Sequence, residues 1–152
     1  MKGTNLAFRR SGQQDFLTCN CELMPLSLND RRHVIVVDDE PYIGRIIQLK
    51  LENGPYTVEV YQDGPAALAR LRTDQQVDLI LLDIMMPQMT GFEVLSELRS
   101  LPQHSGTPVI MLTAKGHATD REQAASLGAS DFLTKPFSPK KLLARIDEIF
   151  AA

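Results

Sequence analysis

The fold of this chain is decided by residues 77–87, Val-Asp-Leu-Ile-Leu-Leu-Asp-Ile-Met-Met-Pro. An apolar run without alternating polar residues is typical of a strand that is buried on both faces of a parallel sheet. The run ends at Asp83, which we therefore expect where the strand leaves the core. In open α/β sheets, ligands bind at the carboxyl ends of the strands. A carboxylate there can be a nucleophile, a metal ligand or a helix cap.

Apolar segments and helical patterns alternate along the rest of the chain. Further strands are predicted to begin near residues 34, 57, 108 and 131, and a helical pattern follows each of the five strands. Such an alternation forms a parallel sheet with helices on both faces. The sequence therefore predicts an α/β fold, a doubly wound five-stranded parallel sheet. The helix at 118–127 has a weak pattern, and the short strand at 131–134 is expected at an edge.

The composition limits the classes of protein to consider. The chain has 152 residues, 43% of them hydrophobic and 23% charged, and a formal net charge of -3. These values are typical of one globular domain. Because there is no strong basic cluster and no apolar run of about 20 residues, we expect neither direct nucleic-acid binding nor membrane insertion. No secretory signal is recognisable, so the predicted location is the cytoplasm.

Residues 1–31 show neither strand nor helix periodicity. We predict that they form a poorly ordered N-terminal extension before a domain of residues 32–152. Cys19 and Cys21 lie in the extension, without the further ligands that a zinc site needs, and are expected to be ordinary thiols. Met24 is an alternative translation start. The last helical pattern runs to the C-terminus, which favours a stand-alone protein without an output domain.

Polar side chains follow four of the predicted strands. Asp38 and Asp39 come after the first strand, Asp83 after the third, Thr113 after the fourth and Lys135 after the fifth. In a parallel sheet all of them lie at one edge, where two carboxylates about 4 Å apart repel by about 4 kcal/mol at an effective dielectric constant of about 20. Mg²⁺, which prefers hard oxygen ligands, or a lysine would relieve this repulsion. A carboxylate beside both is suited to accept a phosphoryl group.

At these positions the chain carries four motifs. They are Val-Val-Asp38-Asp39-Glu40-Pro41, Leu-Leu-Asp83-Ile-Met-Met-Pro87-x-Met-Thr-Gly91, Leu-Thr113-Ala114-Lys115 and Phe132-Leu-Thr-Lys135-Pro136-Phe137. Together they resemble the receiver domains of two-component response regulators, from about His33 to Phe150. The resemblance implies a flavodoxin-like sheet with strand order 2-1-3-4-5. It also implies that Asp83 accepts a phosphoryl group from a sensor histidine kinase or a phosphotransfer protein.

The resemblance further implies a metal site. Asp39, Asp83 and the main-chain carbonyl of Met85 are expected to bind Mg²⁺, and Asp38 is expected to contribute largely through water.

It also implies a switch. Thr113 and Lys135 are expected to contact the phosphoryl oxygens, and the Lys135–Pro136 peptide bond is expected to be cis. Phe132 is the switch aromatic, expected to turn inward when Thr113 approaches the phosphoryl group.

Each of these side chains also has a purely structural interpretation. Asp38 or Asp39 could cap the following helix, although this explains only one of them. Asp83 could begin a turn, Thr113 could close an ST-turn and Lys135 could be a solvated lysine. The three histidines share no spacing and are predicted to lie at the surface: His33, His104 and His117.

Other functions compete with a stand-alone receiver. Haloacid-dehalogenase phosphatases also combine an aspartate nucleophile with Mg²⁺, but they place a second acid two residues later, where this chain has Met85. A degenerate receiver that serves as a scaffold would not need intact Asp39, Asp83, Thr113 and Lys135. A receiver fragment of a longer transcriptional regulator would carry the same motifs. We predict a phosphoacceptor switch and not an enzyme that acts on other substrates.

The surface formed by residues 118–150 is predicted to contact a downstream protein. Its sequence resembles receivers of winged-helix transcription factors, which pair this surface symmetrically through salt bridges. Asp131 and Arg145 match one such bridge, but Lys141 replaces the acidic partner of Arg121. Opposed like charges disfavour association. We therefore expect that this surface binds a different protein, and that the chain is a monomer or a weak dimer.

Overall fold

Five βα units follow one another in the computed structural model, which describes residues 30–151. The strands are β1 (Arg32–Val37), β2 (Tyr56–Tyr61), β3 (Leu79–Asp83), β4 (Val109–Thr113) and β5 (Asp131–Thr134). The helices are α1 (Pro41–Glu52), α2 (Gly64–Leu71), α3 (Gly91–Ser100), α4 (Ala118–Ser126) and α5 (Pro139–Ala151). A short 3₁₀ helix, Pro102–His104, which the sequence did not predict, precedes β4.

All strand pairs are parallel and the order is β2-β1-β3-β4-β5, which confirms the predicted doubly wound sheet. The strand β5 lies at an edge, as expected from its length. In the register between β1 and β3, Val37 lies opposite Leu82. The next residues, Asp38 and Asp83, therefore leave the two central strands side by side.

The core is divided between the two faces of the sheet, so helices cover both faces as predicted. One cluster combines alternate strand residues such as Ile35 and Ile80 with side chains of α2, α3 and α4. The other combines Val36 and Leu81 with side chains of α1 and α5. Every residue of β3 and of β4 is buried, because neither strand has a solvent face.

Helix starts follow from local hydrogen bonds. A capping box begins α3, where the Thr90 hydroxyl accepts from the Glu93 N–H and the Glu93 carboxylate accepts from the Thr90 N–H. The hydroxyl of Ser138 accepts from the Lys141 N–H at the start of α5. By contrast, α4 buries only Ala124, in agreement with its weak apolar pattern. It is the helix with the least apolar packing to hold it against the sheet.

The prediction that all three histidines lie at the surface is wrong for His104. Its ring is buried, with Nδ1 3.0 Å from the Thr107 hydroxyl and Nε2 2.9 Å from the carbonyl oxygen of Leu71. Sequence spacing carried no sign of these bonds, since Leu71 lies in a different helix. His33 is half-buried against Glu59, at 2.5 Å, and His117 is exposed.

The N-terminal extension predicted for residues 1–31, with Cys19, Cys21 and Met24, lies almost entirely outside the described residues. Within residues 30–151, no helix is both long enough and apolar enough to cross a membrane.

Candidate functional site

The carboxyl edge of the sheet gathers three carboxylates. Asp38 follows β1, Asp83 ends β3, and both are buried; Asp39 is half-buried. One carboxylate oxygen from each of the three lies within 4.8 Å of the other two. Since hard divalent cations prefer oxygen ligands, this donor set fits a cation such as Mg²⁺. The sequence prediction that these residues meet at one edge therefore agrees with the geometry.

Lys135 supplies a positive charge to this carboxylate cluster. Its Nζ lies 2.7 Å from Oδ2 of Asp38 and 3.5 Å from Oδ2 of Asp83. Its side chain is only 11% exposed, so it is not an ordinary solvated lysine. A main-chain hydrogen bond holds it in place, because the Lys135 N–H donates to the carbonyl oxygen of Thr113. The Lys135–Pro136 peptide bond is cis, as expected.

Glu40 is a member of the cluster that the sequence analysis missed. Its Oε1 lies 3.4 Å from the Nζ of Lys135, and its main-chain N–H donates to Oδ1 of Asp38 over 2.9 Å. The second contact is an Asx-type turn, so Asp38 has a structural role as well as its place beside Lys135. Neither aspartate is the N-cap of α1; Glu40 occupies that position without a side-chain capping bond. The position of Glu40 directly after Asp39 was the sequence feature that could have indicated its place in the cluster.

The buried charges shift the protonation equilibria of the cluster. Burial, and then the negative charge of Asp38, raise the pKa of the Asp83 carboxyl to about 7, although the Lys135 ammonium opposes this. For Lys135, burial lowers the pKa, but the hydrogen bond to Asp38 and the surrounding carboxylates raise it above its usual value. The pKa of Asp83 therefore lies near neutral pH, whereas Lys135 stays charged.

The loop after β3 approaches Asp83 closely. A Cβ atom at Gly91 would overlap the carbonyl oxygen of Asp83, so only glycine lets α3 begin against this strand end. The Met85 N–H points to Oδ1 of Asp83 over 3.4 Å, and the Met85 side chain is 58% exposed. The close approach explains why glycine stands at position 91.

Thr113 ends β4, and Phe132 lies in the neighbouring strand β5, opposite Met111. The Thr113 hydroxyl donates to the carbonyl oxygen of Lys115 and accepts from the Lys115 N–H, which is the ST-turn considered above. Phe132 is buried, and the guanidinium carbon of Arg121 lies 5.0 Å from the centre of its ring. In this structure the hydroxyl of Thr113 thus bonds within its own loop.

An apolar groove runs between α1 and α5 and opens beside the cluster. Its volume is about 560 Å³, and Lys135 lines one end. Most of the wall is aliphatic or aromatic, from Ile43, Ile46, Ile47, Phe137, Leu142 and Leu143. On the outer side of α1, Tyr42 and Leu49 are more than half exposed. Because Lys135 also contacts Asp38 and Asp83, this apolar groove lies beside the carboxylate cluster.

Residues 34–147 match the family model of the response regulator receiver domain. The chain belongs to this family. The match begins at Val34 within β1 and ends at Asp147 within α5, and it includes all five polar residues at the strand ends.

The receiver is similar to about half of the length of several transcriptional regulators. It is 45% identical over 116 residues to the transcriptional regulatory protein CpxR of Klebsiella pneumoniae, covering 76% of this chain and 48% of that protein. It is 42% identical over 118 residues to the alkaline phosphatase synthesis transcriptional regulatory protein PhoP of Bacillus subtilis, covering 78% and 48%. The chain thus spans about half the length of these relatives.

Solved receivers have the same fold. The chemotaxis response regulator CheY4 of Vibrio cholerae superposes with a TM-score of 0.74 at 34% identity, covering 78% of this chain and 98% of that one. The receiver domain of a sensor histidine kinase from Pseudomonas aeruginosa gives a TM-score of 0.73 at 28% identity, covering 80% and 99%. That structure is described as having a magnesium ion coordinated in its active site cleft.

Proposed function

We propose that this receiver accepts a phosphoryl group on Asp83 from a phosphohistidine of a sensor histidine kinase or a phosphotransfer protein. The bond between the histidine nitrogen and phosphorus breaks, and a bond between a carboxylate oxygen of Asp83 and phosphorus forms. The observation that carries the proposal is the placing of Asp83 at the end of the central strand, within reach of two further carboxylates and Lys135.

The residues around Asp83 have separate tasks in this transfer. Asp38, Asp39 and Asp83, together with the main-chain carbonyl of Met85, would hold Mg²⁺, which supplies positive charge to the transferring group. The ammonium of Lys135 and the hydroxyl of Thr113 would bind the phosphoryl oxygens. The magnesium described for the Pseudomonas aeruginosa receiver supports this assignment.

A phosphatase that acts on other substrates is a poorer fit. Such an enzyme needs an acid close to the nucleophile to protonate the leaving group. Two residues after Asp83 stands Met85, whose thioether carries no proton to give. We therefore propose a phosphoacceptor switch, whose only reactions are its own phosphorylation and dephosphorylation.

The phosphodonor protein is the occupant that we propose for the groove between α1 and α5. Lys135 belongs both to the groove wall and to the carboxylate cluster, so a protein seated there lies beside Asp83. Its contact surface should be largely apolar, to match Ile46 and Leu143 and to cover the exposed Tyr42 and Leu49.

Phosphorylation is proposed to act on the output surface, residues 118–150. The modification adds a charge of about -1.5 to -2 at Asp83. The Thr113 hydroxyl can then leave Lys115 for a phosphoryl oxygen, which moves the loop that begins α4, beside Phe132. A Thr113→Ala variant should still accept phosphate without transmitting the change. If phosphorylation causes the same spectral change at Phe132 in that variant as in the wild type, this coupling is excluded.

A second proposal follows from the relatives. CpxR and PhoP are transcriptional regulators about twice as long as the matched region. The chain would then be the receiver part of such a regulator, with nucleic-acid binding assigned to another domain. Both proposals require the same chemistry at Asp83.

The test of phosphoryl acceptance uses acetyl phosphate with Mg²⁺ and intact-mass measurement. The wild type should gain one phosphoryl group, and chelation of Mg²⁺ should prevent the gain. The Asp83→Asn variant should gain none. Asp63→Asn is the matched control, because Asp63 caps α2 and is not one of the three clustered carboxylates, and asparagine also caps helices. Equal incorporation by Asp83→Asn and the control would refute the assignment.

A further inference from the structure

The contact between Arg121 and Phe132 links α4, the helix with the fewest buried residues among α1–α5, to the edge strand of the sheet. The guanidinium carbon lies 5.0 Å from the centroid of the ring, within the usual range of a cation–π interaction. Ala124, the one buried residue of α4, lies three positions after Arg121 and therefore on the same side of the helix. Arg121 thus turns toward β5, where Phe132 is 9% exposed.

Phe132 is buried although the Thr113 hydroxyl still bonds to the main chain of its own loop. Both hydrogen bonds of that hydroxyl go to Lys115, over 3.0 and 3.1 Å. Movement of Thr113 toward Asp83 is therefore not required for the aromatic ring to be buried. The ring belongs to the core cluster on this face of the sheet, and the guanidinium of Arg121 lies over it.

The charge pattern of the output surface is compatible with this use of Arg121. The resemblance to receivers that pair through salt bridges would assign Arg121 an acidic partner, but that position is Lys141. An arginine without that carboxylate is available to stack on an aromatic face, for which its planar guanidinium is well suited.

We propose that Arg121 is a positioning residue that holds Phe132 buried before phosphorylation, so that this part of the output surface is already formed in the resting protein. The proposal rests on the proposed role of Phe132 as the switch aromatic. A cation–π contact at an exposed site shifts a two-state equilibrium by roughly two- to fivefold. Arg121 therefore biases the switch and does not fix it.

The experiment follows the exposure of position 132 in the metal-free, unphosphorylated protein. The chain has no tryptophan, so Phe132→Trp introduces the sole indole fluorophore. Acrylamide quenching is measured in this background with Arg121 retained, with Arg121→Gln and with Arg121→Lys. Arg72→Gln is the control, since Arg72 is an exposed arginine that pairs with Glu97.

Arg121→Gln should raise the exposed population at position 132 by roughly two- to fivefold. Arg121→Lys keeps the charge, so its exposed population should lie between those of the Phe132→Trp parent and Arg121→Gln. The Arg72→Gln control should match the parent. A structural role of the arginine stem alone would leave the glutamine and lysine variants equal, and that result overturns the proposal.

A second measurement keeps a phenyl ring at position 132. The protein is labelled with 4-fluorophenylalanine, and the ¹⁹F resonance of Phe132 is assigned by its loss in Phe132→Leu. Its solvent-induced shift should rise in Arg121→Gln, and an unchanged resonance would contradict the proposal. No phosphodonor is present in either experiment. A negative result therefore leaves phosphoryl acceptance at Asp83 untouched, and a failure of phosphorylation leaves this result standing.

Discussion

Asp83 combines burial with a negatively charged neighbour, and both disfavour its ionised form. We therefore expect Asp83→Asn to stabilise the metal-free protein at pH 8. The difference between a folded pKa of about 7 and the ordinary aspartate value of 3.8 sets an upper limit of about 4 kcal/mol. Urea denaturation in the presence of a chelator measures this. A variant that is less stable than the wild type at pH 8 would contradict the described electrostatics.

The pH dependence has a definite sign. Because the folded pKa of Asp83 is raised, the native state takes up a proton that the unfolded state does not between about pH 7 and pH 4. The stabilising effect of Asp83→Asn should therefore be largest at pH 8 and shrink as the pH falls through this window. An equal effect at pH 5 and pH 8 would show that the pKa is not raised.

Lys135 compensates Asp38, whose carboxylate is fully buried. In Lys135→Met that compensation is lost, and breaking a buried ion pair from one side costs about 3–5 kcal/mol. We expect a lower melting temperature without Mg²⁺ and a larger gain on adding Mg²⁺ than in the wild type, because the cation then replaces the ammonium. Lys140→Met, at an exposed lysine, is the control. A Mg²⁺ gain equal to that of the wild type would argue against a shared site.

At the scale of elements, the connection from α3 to β4 closes the amino edge of the sheet. The guanidinium of Arg99 donates to the carbonyl oxygens of His104, Thr107 and Gly128, over 2.8, 2.7 and 2.7 Å. Gly128 has a φ of 88°, which favours glycine, and it forms the turn between α4 and β5. Arg99 therefore joins two connections at the end of the fold opposite to Asp83.

His104 gives this connection its own pH dependence. Burial lowers the pKa of its imidazole, so the unfolded state binds a proton that the native state does not as the pH falls below about 6.5. Stability of the wild type should decrease there, and His104→Leu should lack this contribution while being less stable at pH 8, where Thr107 loses its partner. His117→Gln, at an exposed histidine, should keep the wild-type slope. An unchanged slope in His104→Leu would refute the prediction.

Elements were predictable where their signals are local. Apolar runs located all strands, with β5 at its observed bounds of 131–134 and β3 displaced by two residues at its start. The helices α2 and α5 begin at Asp63-Gly64-Pro65 and Ser138-Pro139, which are local start signals because caps involve neighbours along the chain.

Contacts between distant parts of the chain were less accessible. The contact between Lys135 and Asp38 joins residues 97 positions apart. The sequence predicted only that both residues lie at the same edge of the sheet, and not that they form an ion pair. The bonds of His104 to Leu71 and the stacking of Arg121 on Phe132 depend on how helices pack, which no spacing in the sequence encodes.

For the whole molecule, the output surface decides whether the receiver pairs with itself. Asp131 and Arg145, which match an intermolecular bridge of related receivers, pair within this chain over 2.6 Å. Pairing across a two-fold axis would have to share or replace that bridge and oppose Arg121 to Lys141. We therefore expect a monomer or a weak dimer when the protein is loaded with beryllofluoride, a phosphoryl analogue, at physiological salt.

Light scattering measures this, and Lys141→Glu should strengthen any dimer by removing the like charge. Lys140→Glu is the control for a general change in net charge. A tight dimer that Lys141→Glu does not strengthen would show that the surface pairs in another way.

The central claim, phosphoryl acceptance at Asp83, is tested most directly by chemical trapping. The protein is phosphorylated with acetyl phosphate and Mg²⁺, and borohydride then reduces the aspartyl phosphate to homoserine, which peptide mass spectrometry locates. The account predicts homoserine at position 83 and unmodified aspartate at positions 38 and 39. Homoserine at Asp38 or Asp39, with Asp83 unmodified, would contradict it.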